Sequence, residues 1–536
     1  MQKLAAGSWA SILLTASSMA APQSNPVTIN RIADAAFNHG EVVDIAAHLA
    51  DQIGGRMTNS PAMRKAERWT QDQFKSWGLK DVRTEGFDFG RGWWIESAEV
   101  RMTAPRPLEL HGIPIAWTPA TNGVLSAAII GAPMSTDKDF ADWKGKLSGK
   151  IVLVTWPAPP KDDADAPFER LSDADITKLD KYQEPVFDPE TRQKRIERYR
   201  FRAKLDDFLA DEGAVAWIQM SRTEGRLVHG EGSGYRVGKT PRLSALELGA
   251  EDYRRLTRLA KVGEVRLDID SRVHYEDADH NAYNILADIP GTDPQAGYVM
   301  AGAHLDSWVA GDGAADNGAG AAVVMEAARI LASVGAKPKR SIRFALWSGE
   351  EQGLLGSAAY VEKHLARRPP PTDPAMADLP VYFSLDSYPV QTLPGFSELA
   401  AYFNIDNGSG KVRGIYTEGN FAVVPMFREW LAPFASLGAA SVVAQPTDST
   451  DHVFMSRLGL PAFQFIQDPL DYETRVHHTD LDTFDHVRPE DLRQAAVVLA
   501  GVLLDAANTE KPLPRKPVPS QPGLTDPFHY PDPAKK

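Results

Sequence analysis

The chain contains no cysteine. Disulfides, thiolate zinc fingers and cysteine nucleophiles are therefore excluded, and any metal has to be held by His, Asp or Glu. Positive charge is also short: 58 Lys and Arg stand against 71 Asp and Glu, a net charge of −13. That balance disfavours nucleic acid and anionic membrane surfaces, because both need basic patches. Beyond the amino-terminal segment the sequence lacks the run of roughly 20 apolar residues that a spanning helix requires. The G-x-x-x-x-G-K-[ST] run of nucleotide enzymes is missing as well. Apolar residues as such are plentiful, 43% of 536 positions, enough for two cores and tails.

Lys3 is followed by the mostly apolar "LAAGSWASILLTASSMAA", in which Ser18 and Ala20 offer a small-residue cleavage site. Residues 1–21 thus resemble a cleaved export signal, and the mature protein is expected to be periplasmic or secreted. Helical spacing from Asn30 to about Gly78, with Ala66, Trp69, Phe74 and Trp77 on one face, gives way to strand-like "ESAEVRMTA". From Thr121 the texture becomes β-rich ("GVLSAAIIG", "KIVLVTW", "AVAWIQM"), interrupted by a charged stretch with a solvated helix, and this block ends near Asp270. Strands and helices then alternate through "AYNILADIPG", Tyr298–Gly302, Asn317–Val334, "SIRFALW" and Gly353–Leu365, which predicts an α/β fold with a mixed, mostly parallel sheet covered on both faces. An amphipathic helix beginning at Pro489 and a Pro-rich extended tail are expected at the end. The expected segments are 27–120, 121–270, 271–510 and 511–536.

The stretch "AGAHLDSWVAGDGAADNGAG", 301–320, places His304, Asp306 and Asp316 at the exit of a buried strand, where ligands gather in α/β sheets. Adjacent Glu350 and Glu351 in "WSGEEQG" leave the next strand and repel each other unless a cation lies beside them. Asp406 in "AAYFNIDNGSG", Asp451 and His452 in "TDSTDHVFMSRLGLPAFQF", and His477, His478 and Asp482 in "RVHHTDLDTFDHV" follow the same grammar. Two His with three or four carboxylates suit zinc or a similar divalent ion, and a shared carboxylate is the usual way to hold two ions about 3.5–4 Å apart.

In order, H-x-D-S-W, G-A-x-D-N, E-E-Q-G-x-x-G-S, N-x-D and H-T-x-x-D-T appear between about residues 280 and 500. With these motifs the chain resembles the di-zinc aminopeptidase and glutamate carboxypeptidase family, nearest to the plasma glutamate carboxypeptidase type. Block 121–270 resembles an inserted protease-associated domain. The resemblance implies two Zn2+ per chain, with Asp316 bridging, His304 and Asp406 on one ion, Glu351 and His478 on the other, and Glu350 as general base toward a water held between the ions. It also implies a cis peptide at Asp316–Asn317. Asp306 is expected to accept a hydrogen bond from His304, and Asp482 one from His478. Asp406 is preferred over Asp386 for its N-x-D-N-G context, and His478 over His477 because it precedes Thr479. Asp451, His452, Trp308 and Arg475 are candidate pocket residues, Arg475 as a partner for a substrate carboxylate.

The implied activity is exopeptidase, aminopeptidase first. Its alternatives are a carboxypeptidase or dipeptidase, a mono-zinc glutaminyl cyclase-like acyltransferase, and a non-catalytic receptor-like module. The expected partner is a peptide substrate, without nucleic acid or membrane insertion, and a homodimer is left open.

Overall fold

The structure, a computed structural model, describes residues 25–160, 168–181, 189–371, 376, 379–385, 387–447 and 450–520. The segment read as an export signal and the alternative carboxylate Asp386 lie outside the described residues.

One eight-stranded sheet runs in the order Lys80–Asp88, Asn281–Ile289, Ser341–Trp347, Tyr298–His304, Leu399–Asn404, Ala462–Gln467, Val412–Tyr416, Ser441–Val443. Its centre is parallel: Tyr298–His304 pairs with both Ser341–Trp347 and Leu399–Asn404, which pairs in turn with Ala462–Gln467. Every residue of Tyr298–His304 is buried, as expected of a strand covered on both faces. Alternation sorts the side chains into two cores. Val299, Ala301 and Ala303, with Phe344 and Phe403, face the helices Pro26–Phe37, Val42–Ala47, Pro61–Ser76, Ala319–Ser333 and Pro489–Asn508. Tyr298, Met300, Trp347 and Tyr402 face Leu355–Tyr360 and Val453–Ser456 on the other side. The chain thus has the α/β architecture that the alternating pattern predicts.

Local sequence explains the helix starts. Ser60 Oγ accepts from Met63 N at 3.2 Å, and Pro61 occupies the first turn, where its missing N–H costs nothing. Pro489 likewise opens the last helix, but the amphipathic reading of that helix is corrected. Gln494–Ala507 are buried on all sides, because the helix is wedged against Ala319–Ser333 and the sheet. The tail beyond it is strapped down as far as Lys516: Lys516 N donates to Gly459 O at 3.0 Å and Arg515 to Leu399 O at 2.7 Å. Among the described residues no helix is long and apolar enough to cross a membrane.

A second eight-stranded sheet runs Leu108–Glu109, Gly92–Ala104, Arg266–Glu276, Leu125–Gly131, Ile151–Leu153, Ala216–Met220, Ala245–Leu248, Gly112–Pro114. It starts well before residue 121, because Gly92–Ala104 pairs along its whole length with Arg266–Glu276. Its core, including Val100, Leu153, Ile218 and Leu267, is separate from those of the first sheet. The charged helix Pro189–Asp211 packs Leu205 and Leu209 onto it.

Phe403 is fully buried amid Phe427, Phe463 and Phe465, with ring centroids 5.9 to 6.2 Å away. Phe403→Ala is expected to remove about 3–5 kcal/mol of stability. A urea midpoint unchanged from that of the parent protein would contradict this packing.

Candidate metal centre

His304 ends its strand, Glu350 and Glu351 follow Ser341–Trp347, and Asp406 follows Leu399–Asn404, so three neighbouring strands deliver their polar residues to one edge. Asp316 joins them from the loop that enters helix Ala319–Ser333. His304 Nε2 lies 3.2 Å from Asp316 Oδ1 and 3.5 Å from Asp406 Oδ1. His478 Nε2 lies 3.3 Å from Asp316 Oδ2 and 3.0 Å from Glu351 Oε2. The structure therefore gathers His304, Asp316 and Asp406 into one donor group, and Asp316, His477 and His478 into another that shares it. His477 Nε2 stands 3.8 Å from Asp316 Oδ2, so both histidines of the pair reach this side.

The loop carrying His304 and Asp316 is tightly built. The Asp316–Asn317 peptide is cis, as the family resemblance implies. Asn317 Nδ2 donates to Ile405 O at 3.1 Å and its Oδ1 accepts from Gly320 N at 3.0 Å, tying the loop to the strand that supplies Asp406. Gly313 has φ 63°, and a Cβ there would meet Ser307 at 2.4 Å and Arg56 at 2.9 Å. Arg56, fully buried, donates to five main-chain carbonyls: Leu305 at 2.7 Å, Leu49 at 3.1 Å, Gly54 at 3.0 Å, Asp312 at 2.8 Å and Gly313 at 2.6 Å. Nothing in "IGGRMTNS" marked Arg56 as part of the site, since the partners that tie it to the site loop, Leu305, Asp312 and Gly313, are carbonyls distant in sequence.

Two expected supporting contacts are corrected. His304 Nδ1 is 2.9 Å from the main-chain carbonyl of Asp306 and 3.7 Å from its carboxylate, so the carbonyl orients the imidazole. The Asp306 carboxylate instead accepts from Thr58 Oγ1 at 2.9 Å and from the amides of Glu350 and Glu351 at 3.3 and 3.4 Å. Asp482 does not reach His478. The turn after Thr479 points its carboxylate at the amides of Ala315 and Asp316, 2.6 and 3.0 Å away. The partner of His478 Nδ1 is Glu231 Oε1 at 2.6 Å, from the second sheet's side, a residue that sequence reasoning missed. Its only signal was the glycine-rich setting "HGEGSGY".

Asp406 is set by a buried polar relay. Its Oδ2 accepts from Thr450 Oγ1 at 2.6 Å, Thr450 Oγ1 accepts from Asn404 Nδ2 at 2.8 Å, and Trp347 Nε1 donates at 2.7 Å to Tyr402 OH, which contacts Asn404 Oδ1. Such networks hold geometry only when every member is satisfied.

Charge is the governing feature. Burial opposes a proton on His304, yet Asp406, Glu350 and Asp316 outweigh it and hold its pKa well above the ordinary value. His478 is shifted up in the same way by Glu351 and Glu231 against burial. Burial pushes Glu350 well above the usual carboxylate range, reinforced by Asp406, Asp451 and Glu351, and raises Glu351 to about 7. Glu351 Oε1 is buried without a hydrogen-bond partner. Imidazole nitrogens and carboxylate oxygens facing a shared Asp, with a buried carboxylate oxygen left over, form a donor set that fits divalent cations.

The cluster floors a cavity of about 690 Å³ whose wall draws on both sheets, with Glu231 and Tyr235 on one side, Arg195, Tyr199 and Arg202 from helix Pro189–Asp211, and Glu473 near the histidines. Trp308 lines it, edge-on to Trp117 at 6.2 Å. The other three proposed pocket residues do not. Asp451 and His452 are completely buried behind the wall, and Arg475 is exposed, turned away by the helical turn Tyr472–Val476.

A buried Glu beside two imidazole–carboxylate groups, at the carboxyl edge of a parallel α/β sheet, fits a metallopeptidase. The matches to known proteins agree. Residues 284–503 match the model of peptidase family M28. It is 27% identical over 474 residues to carboxypeptidase Q from Bos taurus, covering 88% of this chain and 86% of the relative. In fold it is similar to a peptidase M28 precursor from Shewanella amazonensis, with TM-score 0.64, 23% identity and 92% and 99% of the two chains covered. It is also similar to a zinc aminopeptidase from Bacillus subtilis, with TM-score 0.55, 21% identity and 89% and 97% covered.

Arg56→Lys is expected to destabilise the metal-free protein by about 3–5 kcal/mol, because an ammonium cannot satisfy five carbonyls with one planar fork and leaves buried partners unpaired. Differential scanning calorimetry that finds no fall in melting temperature would refute the anchoring role.

Proposed function

We propose that the chain is an exported exopeptidase that removes terminal residues from short peptides with two zinc ions. The observation that carries this is the position of Asp316, whose two oxygens face different donor groups 3.2 and 3.3 Å away. His304, Asp316 and Asp406 would hold one ion and Asp316, Glu351 and His478 the other, with His477 beside the second. Zinc suits neutral imidazole with carboxylate in the absence of thiolate. Two ions bound there would polarise the scissile carbonyl and increase the acidity of water.

The chain's own residues do the rest. Glu351 faces His478 at 3.0 Å whereas Glu350 is left to the attacking water, and burial raises the affinity of its carboxylate for a proton. It takes a proton from the attacking water as the new carbon–oxygen bond forms. It then passes that proton to the leaving nitrogen as the carbon–nitrogen bond breaks. The Asp306 carboxylate fixes the Glu350 and Glu351 amides, so the two side chains keep separate tasks. The cavity, roofed by helix Pro189–Asp211, suits peptide ends rather than folded chains.

Aminopeptidase is the first reading, supported by Glu473, a carboxylate on the cavity wall available to a free α-amine. Carboxypeptidase is the second, favoured by Arg195 and Arg202 on the lining helix and by the name of the bovine relative. Block 121–270, part of the second sheet's unit, is read as an inserted protease-associated domain, and export rests on the apolar segment 4–21.

Metal analysis of the purified protein is expected to find two ions per chain, whereas a single ion would favour the cyclase-like alternative. Glu350→Gln should retain both ions while kcat falls by about 10²–10⁴-fold; full activity in that variant would remove Glu350 from the mechanism. Amino-terminal acetylation of a tripeptide should abolish its turnover and carboxy-terminal amidation should not. The reverse pattern would establish the carboxypeptidase reading.

A further inference from the structure

We infer that Glu231 is a positioning residue for the metal centre, so that the second sheet's block completes one half of a site whose other half the first sheet builds alone. This rests on reading His478 as a ligand. The His478 ring has one nitrogen, Nε2, facing Asp316 and Glu351, and the other, Nδ1, 2.6 Å from Glu231 Oε1. A carboxylate at the second nitrogen fixes the tautomer that leaves the first free for a cation, holds the ring plane, and strengthens the donor.

Glu231 is itself held. Arg222 grips it with two N–H groups at 3.0 and 2.7 Å. Two residues earlier, His229 is buried, with its amide and its Nδ1 2.9 and 2.8 Å from Glu247 Oε1 on a strand of the second sheet. The segment after His478 crosses the same seam. Asp480 accepts from Val228 N at 3.1 Å, pairs with His111 Nε2 at 2.7 Å, and donates its own amide to Val228 O at 3.1 Å. These contacts enclose His478 at φ 62°, a conformation that non-glycine residues adopt only where the surroundings enforce it.

The other half differs. The Nδ1 of His304 goes to the carbonyl of Asp306, two residues along its own chain, and Asp406 is set by Thr450 and Asn404. None of these belongs to the second sheet. One half is therefore preorganised by local chain, while the other depends on docking of the second block.

The test uses the full-length protein, stripped of metal and titrated with Zn2+ against a chromophoric chelator. The parent protein should bind two ions. Glu231→Ala should keep one at unchanged affinity and bind the other about 10–100-fold more weakly. Arg222→Ala, at an exposed residue, should weaken the same ion by a smaller factor. Unchanged affinities for both ions in Glu231→Ala, or equal loss of both, overturn the inference while leaving the two-ion reading in place. A parent stoichiometry below two overturns that reading and the inference with it. If Glu231→Ala fails to fold, the isosteric Glu231→Gln and Arg222→Ala decide by the same criteria.

Discussion

Asp316, Glu350, Glu351 and Asp406 converge on a space from which water is largely excluded, and so many carboxylates can share it only if positive charge is brought among them. Two imidazoles answer part of that demand. His304 and His478 are held toward protonation, and in exchange Asp316 is pushed below the usual carboxylate range, with burial working against it. A divalent cation in each donor group would meet the same demand more fully, and the buried Glu351 oxygen without a hydrogen-bond partner is a donor atom left over for one. The site is in this sense an electrostatic deficit built into the fold.

Holding such a deficit in place takes rigid support. The parallel pairing of Tyr298–His304 with Ser341–Trp347 sets His304 opposite Trp347, so the strand exits line up. Arg56 closes the loop from beneath through carbonyls and adds a buried guanidinium within electrostatic reach of Asp482, Asp306, Asp312 and Asp316. Asp482 takes the Ala315 and Asp316 amides, and the relay through Asn404 and Thr450 aims Asp406. Each support acts on the main chain or on one oxygen of a ligand candidate, leaving its other donor atom to the site.

Much of this was legible in the sequence. The alternation of apolar strands and helices from residue 281 onward carried the α/β fold, because buried parallel strands need continuous apolar runs and crossover helices. The candidate donors His304, Asp316, Glu351 and Asp406 stood out because each follows a strand or precedes a helix beside glycine, and His478 stood out through the H-T-x-x-D-T motif. The supporting contacts were not legible. Asp306 and Asp482 were paired with His304 and His478 through the family resemblance, whereas the direction of a side chain after a turn depends on backbone angles that residue types alone do not specify. Helix Pro489–Asn508 was read as amphipathic, yet beyond its first turn neighbouring elements bury it continuously from Gln494 to Ala507.

The sequence by itself determined the chemistry on offer: no thiolate, an excess of acids, imidazoles and carboxylates at strand ends, and a sheet able to present them together. Only the tertiary structure decided which groups meet. Glu231 and His478 are separated by 247 positions and meet only because the second sheet docks over the first, while Arg56 finds carbonyls 249 to 257 residues away. Such contacts carry no local signature, since a carboxylate or guanidinium that serves a distant backbone looks in sequence like any other surface charge.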